Sequence, residues 1–157
     1  MTPTLIAKVI VNDDLYMQHA SIRQLLEYTN KFPDLTAGIN CSHQIDQAEQ
    51  EFNFILNYYQ KEPARYIRHY IISSDVIKDP REMLQIGYNI ARFFANTNQV
   101  FIAVHTDKES HIHAHLIVNT VSCYTGTIFS YNYDNHRAFL TLANSFGYHV
   151  RMATQAI

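Results

Sequence analysis

The chain has 157 residues, 47% of them hydrophobic and only 17% charged, and a formal net charge of −2 with its nine histidines neutral. That length suits one domain with a sizeable core, no apolar run approaches the ~18 residues of a membrane span, and the charge excludes the broad basic surface of a general duplex-DNA binder. The start, "MTPTLIAKVIV", lacks the zones of a secretion signal, so a cytoplasmic home without membrane insertion is expected.

In chain order, "TLIAKVIV" (4–11) predicts a buried strand. Ser21 fits the N-cap of a short helix in which Ile22, Leu25, Leu26 and Thr29 form one stripe, and "NKFPDLTAGIN" follows as an irregular loop. Tyr28 lies about 110° from the centre of that stripe at ~100° per residue, on the flank of the helix. Ala48, Phe52, Ile55, Leu56 and Tyr59 keep helical spacing from Asp46 to about Glu62, where Pro63 stops the helix.

"RYIRHYIISS" (65–74) alternates as a strand does, and Asp79-Pro80 starts a helix carrying Met83, Gly87, Ile90 and Phe94. "VFIAVH" (100–105) and "HIHAHLIVNTVS" (111–122) predict two strands joined by "TDKES". "YTGTIF" reads as a further turn and strand, and residues 135–146 as a last helix with Gly147 as its stop. The order β, α, α, β, α, β, β, β, α predicts an α+β fold: a two-layer sandwich with a mainly antiparallel central sheet and helices packed on it. The closing "VRMATQAI" does not read as a finished domain edge, so the chain is expected to be part of a longer protein. Cys41 and Cys123 lack metal-ligand spacing and read as buried thiols.

The stretch "VHTDKESHIHAHLIVN" (104–119) concentrates four histidines and an aspartate. Alternation along a strand puts His111, His113 and His115 on one face about 7 Å apart, with Ile112, Ala114 and Leu116 on the other. His105 ends the preceding strand. In a hairpin it returns beside either the His113 and His115 end or the His111 end, depending on register, and a three-imidazole metal site with open positions becomes geometrically easy.

Neutral ligands leave the ion its full charge, which suits an anionic substrate such as a phosphodiester. Asp107 reads either as the acceptor for a ligand histidine's second N–H or as a loop turn residue. His19, His43, His136 and His149, outside the row, read as structural. For a nucleophile the sequence offers serine, activated water or tyrosine, and Tyr28 is one of eleven tyrosines.

"HTDKESHIHAHLIVN" resembles the third motif of conjugative and mobilisation relaxases of the HUH endonuclease superfamily. "LIAKVIV", "LLEYTN", "GINCS" (38–42), "RHYIISSD" (68–75) and "VHTD" occur in the order and rough spacing of the MobA/MobL type, so the likeness covers essentially the whole chain. The resemblance implies a relaxase domain over residues 1–157, the N-terminal part of a longer protein. It implies Tyr28 as the nucleophile at a nick site, forming a 5′-phosphotyrosine and a free 3′ hydroxyl, and His105, His113 and His115 as ligands of one divalent metal ion. Mn or Mg is expected there, with Zn and Ni also compatible with imidazole.

Asp107 matches the acidic position beside the first ligand, and His111, the surplus histidine, replaces a ligand, relays a proton or flanks the site. Asn119 matches the closing asparagine, and His69 and Ser73 fall where the family often has a histidine and a serine.

The implied partners are single-stranded DNA at an origin of transfer, with accessory relaxosome and coupling proteins. Unpaired bases can stack on aromatic side chains, Phe32 and the 124–133 region being candidates, and Lys31, Arg65, Arg68 and Arg137 are candidate phosphate contacts. The alternatives are a rolling-circle replication initiator or transposase of the same chemistry, a metal hydrolase using activated water, and a non-catalytic single-strand binder.

Overall fold

The computed structural model describes residues 4–10, 21–74, 76–106, 112–129, 133–145 and 147–155. Asp107 and His111 lie outside the described residues, as do Asp75 and Phe146. Six strands form one sheet: β1 (Thr4–Ile10), β2 (Thr36–Ile39), β3 (Ile67–Ser74), β4 (Val100–His105), β5 (Ile112–Asn119) and β6 (His149–Gln155), in the spatial order β2-β4-β5-β3-β1-β6. Every neighbouring pair is antiparallel except β1 with β6, which run parallel.

The helices are α1 (Ile22–Thr29), α2 (Ile45–Tyr58), the short α3 (Pro63–Tyr66), α4 (Pro80–Ala91) and α5 (Tyr133–Ser145). The α+β class with a mainly antiparallel central sheet and helices packed on it is as expected. The helices are divided between both faces of the sheet, so the helical layer of the expected sandwich is present twice.

Register decides which residues meet. Phe101 pairs with Ile117, Ala103 with His115 and His105 with His113, while across β5 His115 pairs with Ile71 and His113 with Ser73. Odd-numbered residues of these strands therefore share one face. There Phe101, Ala103, Ile117 and Ile67 pack with Leu25 and Leu26 of α1 and Phe52 and Leu56 of α2.

On the other face Ile102, Val104, Ala114, Leu116 and Ile72 pack with Met83, Ile86 and Ile90 of α4 and Phe139 and Ala143 of α5. Burial on both sides is why "VFIAV" and "LIV" read as continuous apolar runs. Each of these large side chains contributes roughly 1.5–3 kcal/mol by leaving water. Gly87 lets α4 lie close on β5, since a Cβ there would stand 3.1 Å from that of Ala114.

The elements depart from expectation in four places. β2 lies inside the predicted loop; only four residues long and half-buried, it is held by Ile39 pairing with Val100 and Ala37 with Ile102. The predicted strand in "YTGTIF" is reduced to a single bridge between Val121 and Ile128. α2 stops at Tyr58 and Gln60 takes a positive φ of 56°, ahead of Pro63, which opens α3 instead. The closing segment, which did not read as a domain edge, supplies β6 beside β1.

Candidate active site

α1 begins with a capping box: Ser21 Oγ accepts from Gln24 N at 3.1 Å, and Gln24 Oε1 accepts from Ser21 N at 2.9 Å. Its buried stripe, Ile22, Leu25, Leu26 and Thr29, matches the expected one, and the same rotation leaves Tyr28 55% exposed. At its end, the Thr29 carbonyl accepts a 2.7 Å hydrogen bond from His105 Nε2. That bond ties the helix turn bearing Tyr28 to the last residue of β4.

The imidazoles gather on the α1 face of the sheet. His115 lies opposite Ala103, whose single methyl leaves room, and the His105 and His115 rings approach to 4.1 Å between centroids. His113, paired with His105, keeps its ring 6.4 Å from that of His115. From β3, His69 reaches diagonally to His115, with Nε2 and Nδ1 2.7 Å apart. The Tyr28 ring stands edge-on to both His105 and His115, at 6.1 and 6.2 Å, and Lys31 Nζ lies 5.8 Å from its centroid.

Burial dominates the electrostatics. His69, His105 and His115 are all buried. Desolvation, then the charge of His105 nearby, pushes His69 down to about 4, and desolvation together with His69, His105, His113 and Lys31 lowers His115 as well. Both rings are neutral at pH 7. Because a carbonyl can only accept, His105 Nε2 carries the hydrogen, which leaves Nδ1 as the nitrogen of that ring that can bind an ion.

The donor chemistry fits a divalent ion: buried imidazoles, one with a ring N–H engaged by a carbonyl as metal-bound histidines usually have it. Two of the expected ligands, His105 and His115, converge. Among the described residues no three His, Cys, Asp or Glu side chains come close enough together to hold an ion, because His113 remains apart.

The other expected residues divide. Lys31 joins the tyrosine, and Ser73 is the cross-strand neighbour of His113. Arg68 pairs with Val118 at the other end of β3, about 17 Å from the Ser73–His113 pair at ~3.3 Å per residue, and is partly buried. Arg65, in α3 just before that end, stacks over Tyr66 at 5.9 Å, and Arg137 lies on α5, in the opposite helical layer. Phe32 and Tyr124 are both exposed, Tyr124 beyond the far end of β5.

Asn119, the closing residue of the histidine motif, is fully buried and far from the imidazoles. Its Nδ2 donates to Gln99 Oε1 at 3.0 Å and its Oδ1 accepts from Val121 N at 3.0 Å, so it clamps the end of β5. "GINCS" is likewise architectural. A Cβ on Gly38 would lie 2.2 Å from the Cys41 carbonyl oxygen, and Asn40, at φ 56°, donates Nδ2 to the carbonyls of Ala95 and Asn98 at 2.7 and 3.0 Å.

A mainly antiparallel sheet bearing a cluster of imidazoles, with an exposed phenol beside it, is suited to cutting an anionic phosphodiester. Over residues 26–145 the chain matches the family described as "Relaxase: MobA/VirD2-like, nuclease domain", and it belongs to that family of DNA-acting nuclease domains. Among curated proteins it is similar to proteins named "Protein rlx" from Staphylococcus aureus. One is 30% identical over 114 residues, covering 71% of this chain and 35% of the relative. Another is 30% identical over 126 residues, covering 79% and 38%.

The chain thus spans little more than a third of the length of these relatives. No solved structure matches it. Among the described residues no helix is long and apolar enough to cross a membrane.

Proposed function

We propose that this domain nicks and rejoins one strand of DNA at the origin of transfer of a mobile element, in the cytoplasm, with Tyr28 as nucleophile. The observation that carries the reading is the exposed phenol of Tyr28 lying edge-on, about 6 Å away, to two buried histidines. In the step, the Tyr28 oxygen bonds to the phosphorus of one phosphodiester and the bond to the 3′ oxygen breaks. The phenol proton leaves to a base, and the departing 3′ oxygen takes up a proton.

A phenol of pKa near 10 needs help to attack at neutral pH. The Lys31 ammonium, 5.8 Å from the centre of the ring, places positive charge where an anionic phosphate would approach the phenol. His69 and His115, held neutral by burial, are poor proton acceptors, so the base is assigned to Asp107 or His111. The linkage to tyrosine conserves the energy of the broken diester, and attack by a 3′ hydroxyl reverses it.

His105, His113 and His115 would hold one divalent ion, Mn or Mg, with Zn and Ni also compatible, once His113 swings toward the other two. Bound there, the ion supplies positive charge to the non-bridging phosphate oxygens. Lys31 serves as a phosphate contact at the nick, and Arg65, Arg68 and Arg137 contact DNA away from it. Accessory relaxosome and coupling proteins are the expected partners.

The test is an origin-of-transfer oligonucleotide incubated with the protein and Mn²⁺, then run on a denaturing gel. A protein–DNA adduct is expected, abolished by chelator and by Tyr28→Phe at unchanged circular dichroism. A hydrolase using activated water would instead cut without an adduct and survive Tyr28→Phe, and either result overturns the assignment.

A further inference from the structure

We infer that His69 is a positioning residue: its Nε2 accepts the Nδ1–H of His115 and so fixes His115 in the tautomer whose Nε2 carries the lone pair. The choice of donor rests on the function proposed above, because His115 needs an unprotonated Nε2 only if that ring binds an ion; the 2.7 Å contact between the two rings does not.

The rings are close, with centroids 5.0 Å apart and the two nitrogens at 2.7 Å. Both side chains are buried, so water does not compete for the bond and its strength is that of a low-dielectric interior. The contact is long-range in sequence and diagonal in the sheet. His69 pairs with Ile117, two residues beyond His115, a separation of roughly 7–8 Å that a pair of imidazoles can span.

Two neutral imidazoles in contact share one hydrogen, which leaves two assignments. If His69 donated, His115 would keep its own hydrogen on Nε2 and have no nitrogen to offer an ion. If His115 donates, its Nε2 is the acceptor nitrogen. His105 sets the precedent within the same cluster, because the Thr29 carbonyl compels Nε2–H there and makes Nδ1 the acceptor. The neighbouring rings are thus oriented through opposite nitrogens by partners from different elements, the backbone end of α1 and a side chain of β3. What His69 must supply is an acceptor at the right reach. An amide oxygen can replace it; an alkyl group cannot.

The ¹⁵N–¹H multiple-bond spectrum of the histidine rings, recorded on the metal-free 157-residue chain with His115→Gln for assignment, reads the tautomer directly. Wild type is expected to show His115 protonated at Nδ1, His69→Gln to retain that signature and His69→Leu to lose it. Calorimetric titration with Mn²⁺ alone should show binding about 10- to 100-fold weaker in His69→Leu and restored in His69→Gln.

A wild-type spectrum with His115 protonated at Nε2 overturns the inference even if His69→Leu does not fold. So does a folded His69→Leu that binds Mn²⁺ as tightly as wild type. Absence of Mn²⁺ binding by wild type, with Nδ1–H present, overturns the ligand set proposed above and leaves the role of His69 standing.

Discussion

Lowering the pH from 7 to 5 should destabilise the metal-free domain through its buried imidazoles, and His69 allows the size to be worked out. Its pKa is held down at about 4, against 6.5 in an unfolded chain, chiefly because burial opposes the charged ring. Between those two values the unfolded state binds the proton and the folded state does not. Stability is therefore intact above pH 6.5, falls as the pH drops below it, and levels off below about 4.

At about 1.4 kcal/mol per pH unit the full span is about 3 kcal/mol, and roughly 2 kcal/mol of it is lost between pH 7 and 5. His115, lowered for the same reason, adds in the same direction. His69→Gln removes the titrating group while keeping an acceptor for His115. Urea unfolding of both proteins in chelator at half-unit pH steps should give curves that diverge below pH 6.5, the wild type falling more steeply. Parallel curves, or a wild type more stable at pH 5 than at 7, would refute the reasoning.

Asn119→Leu removes the partners of Gln99 Oε1 and Val121 N in a buried setting and should cost about 3 kcal/mol in urea unfolding at pH 7. Gly38→Ala drives a Cβ against the backbone of Cys41 and Ser42 and should cost about 3 kcal/mol or more, seen as a large fall in melting temperature. Ser21→Ala breaks the capping box at the start of the helix that carries Tyr28. A loss of about 1 kcal/mol is expected in thermal unfolding, with the adduct still formed.

Local patterns in the sequence went a long way here. Alternation placed His113 and His115 on one face, the apolar stripe of 22–29 turned Tyr28 outward, and Asp79 caps α4 as its neighbour Pro80 suggested, accepting from Arg81 N at 3.0 Å. What stayed illegible is set by pairing between distant segments. The return of His105 onto His113 depends on a register that the intervening loop does not encode. His69 meets His115 only because β3 lies beside β5, a contact 46 residues apart with no local trace beyond the alternation that puts His69 and Ser73 on one side.

β2, with four half-buried residues, is too short to display a period. Charge alone could not tell that Lys31 stands by the tyrosine while Arg65 and Arg68 fall at the far end of the sheet. For Asn119, the motif marked the residue, but only the fold shows that its partners are Gln99 and Val121.

The two halves of the centre are carried by different elements. His113 and His115 ride on β5, hydrogen-bonded to a strand on either side and covered above and below, so their amides belong to the part of the molecule expected to exchange with solvent last. Tyr28 rides on a helix of eight residues whose buried stripe packs on the sheet and whose end is tied to His105 by one carbonyl. In the nick-and-rejoin cycle proposed above, such a division would keep the imidazoles on the central strand while the phenol is carried by a separate, smaller element.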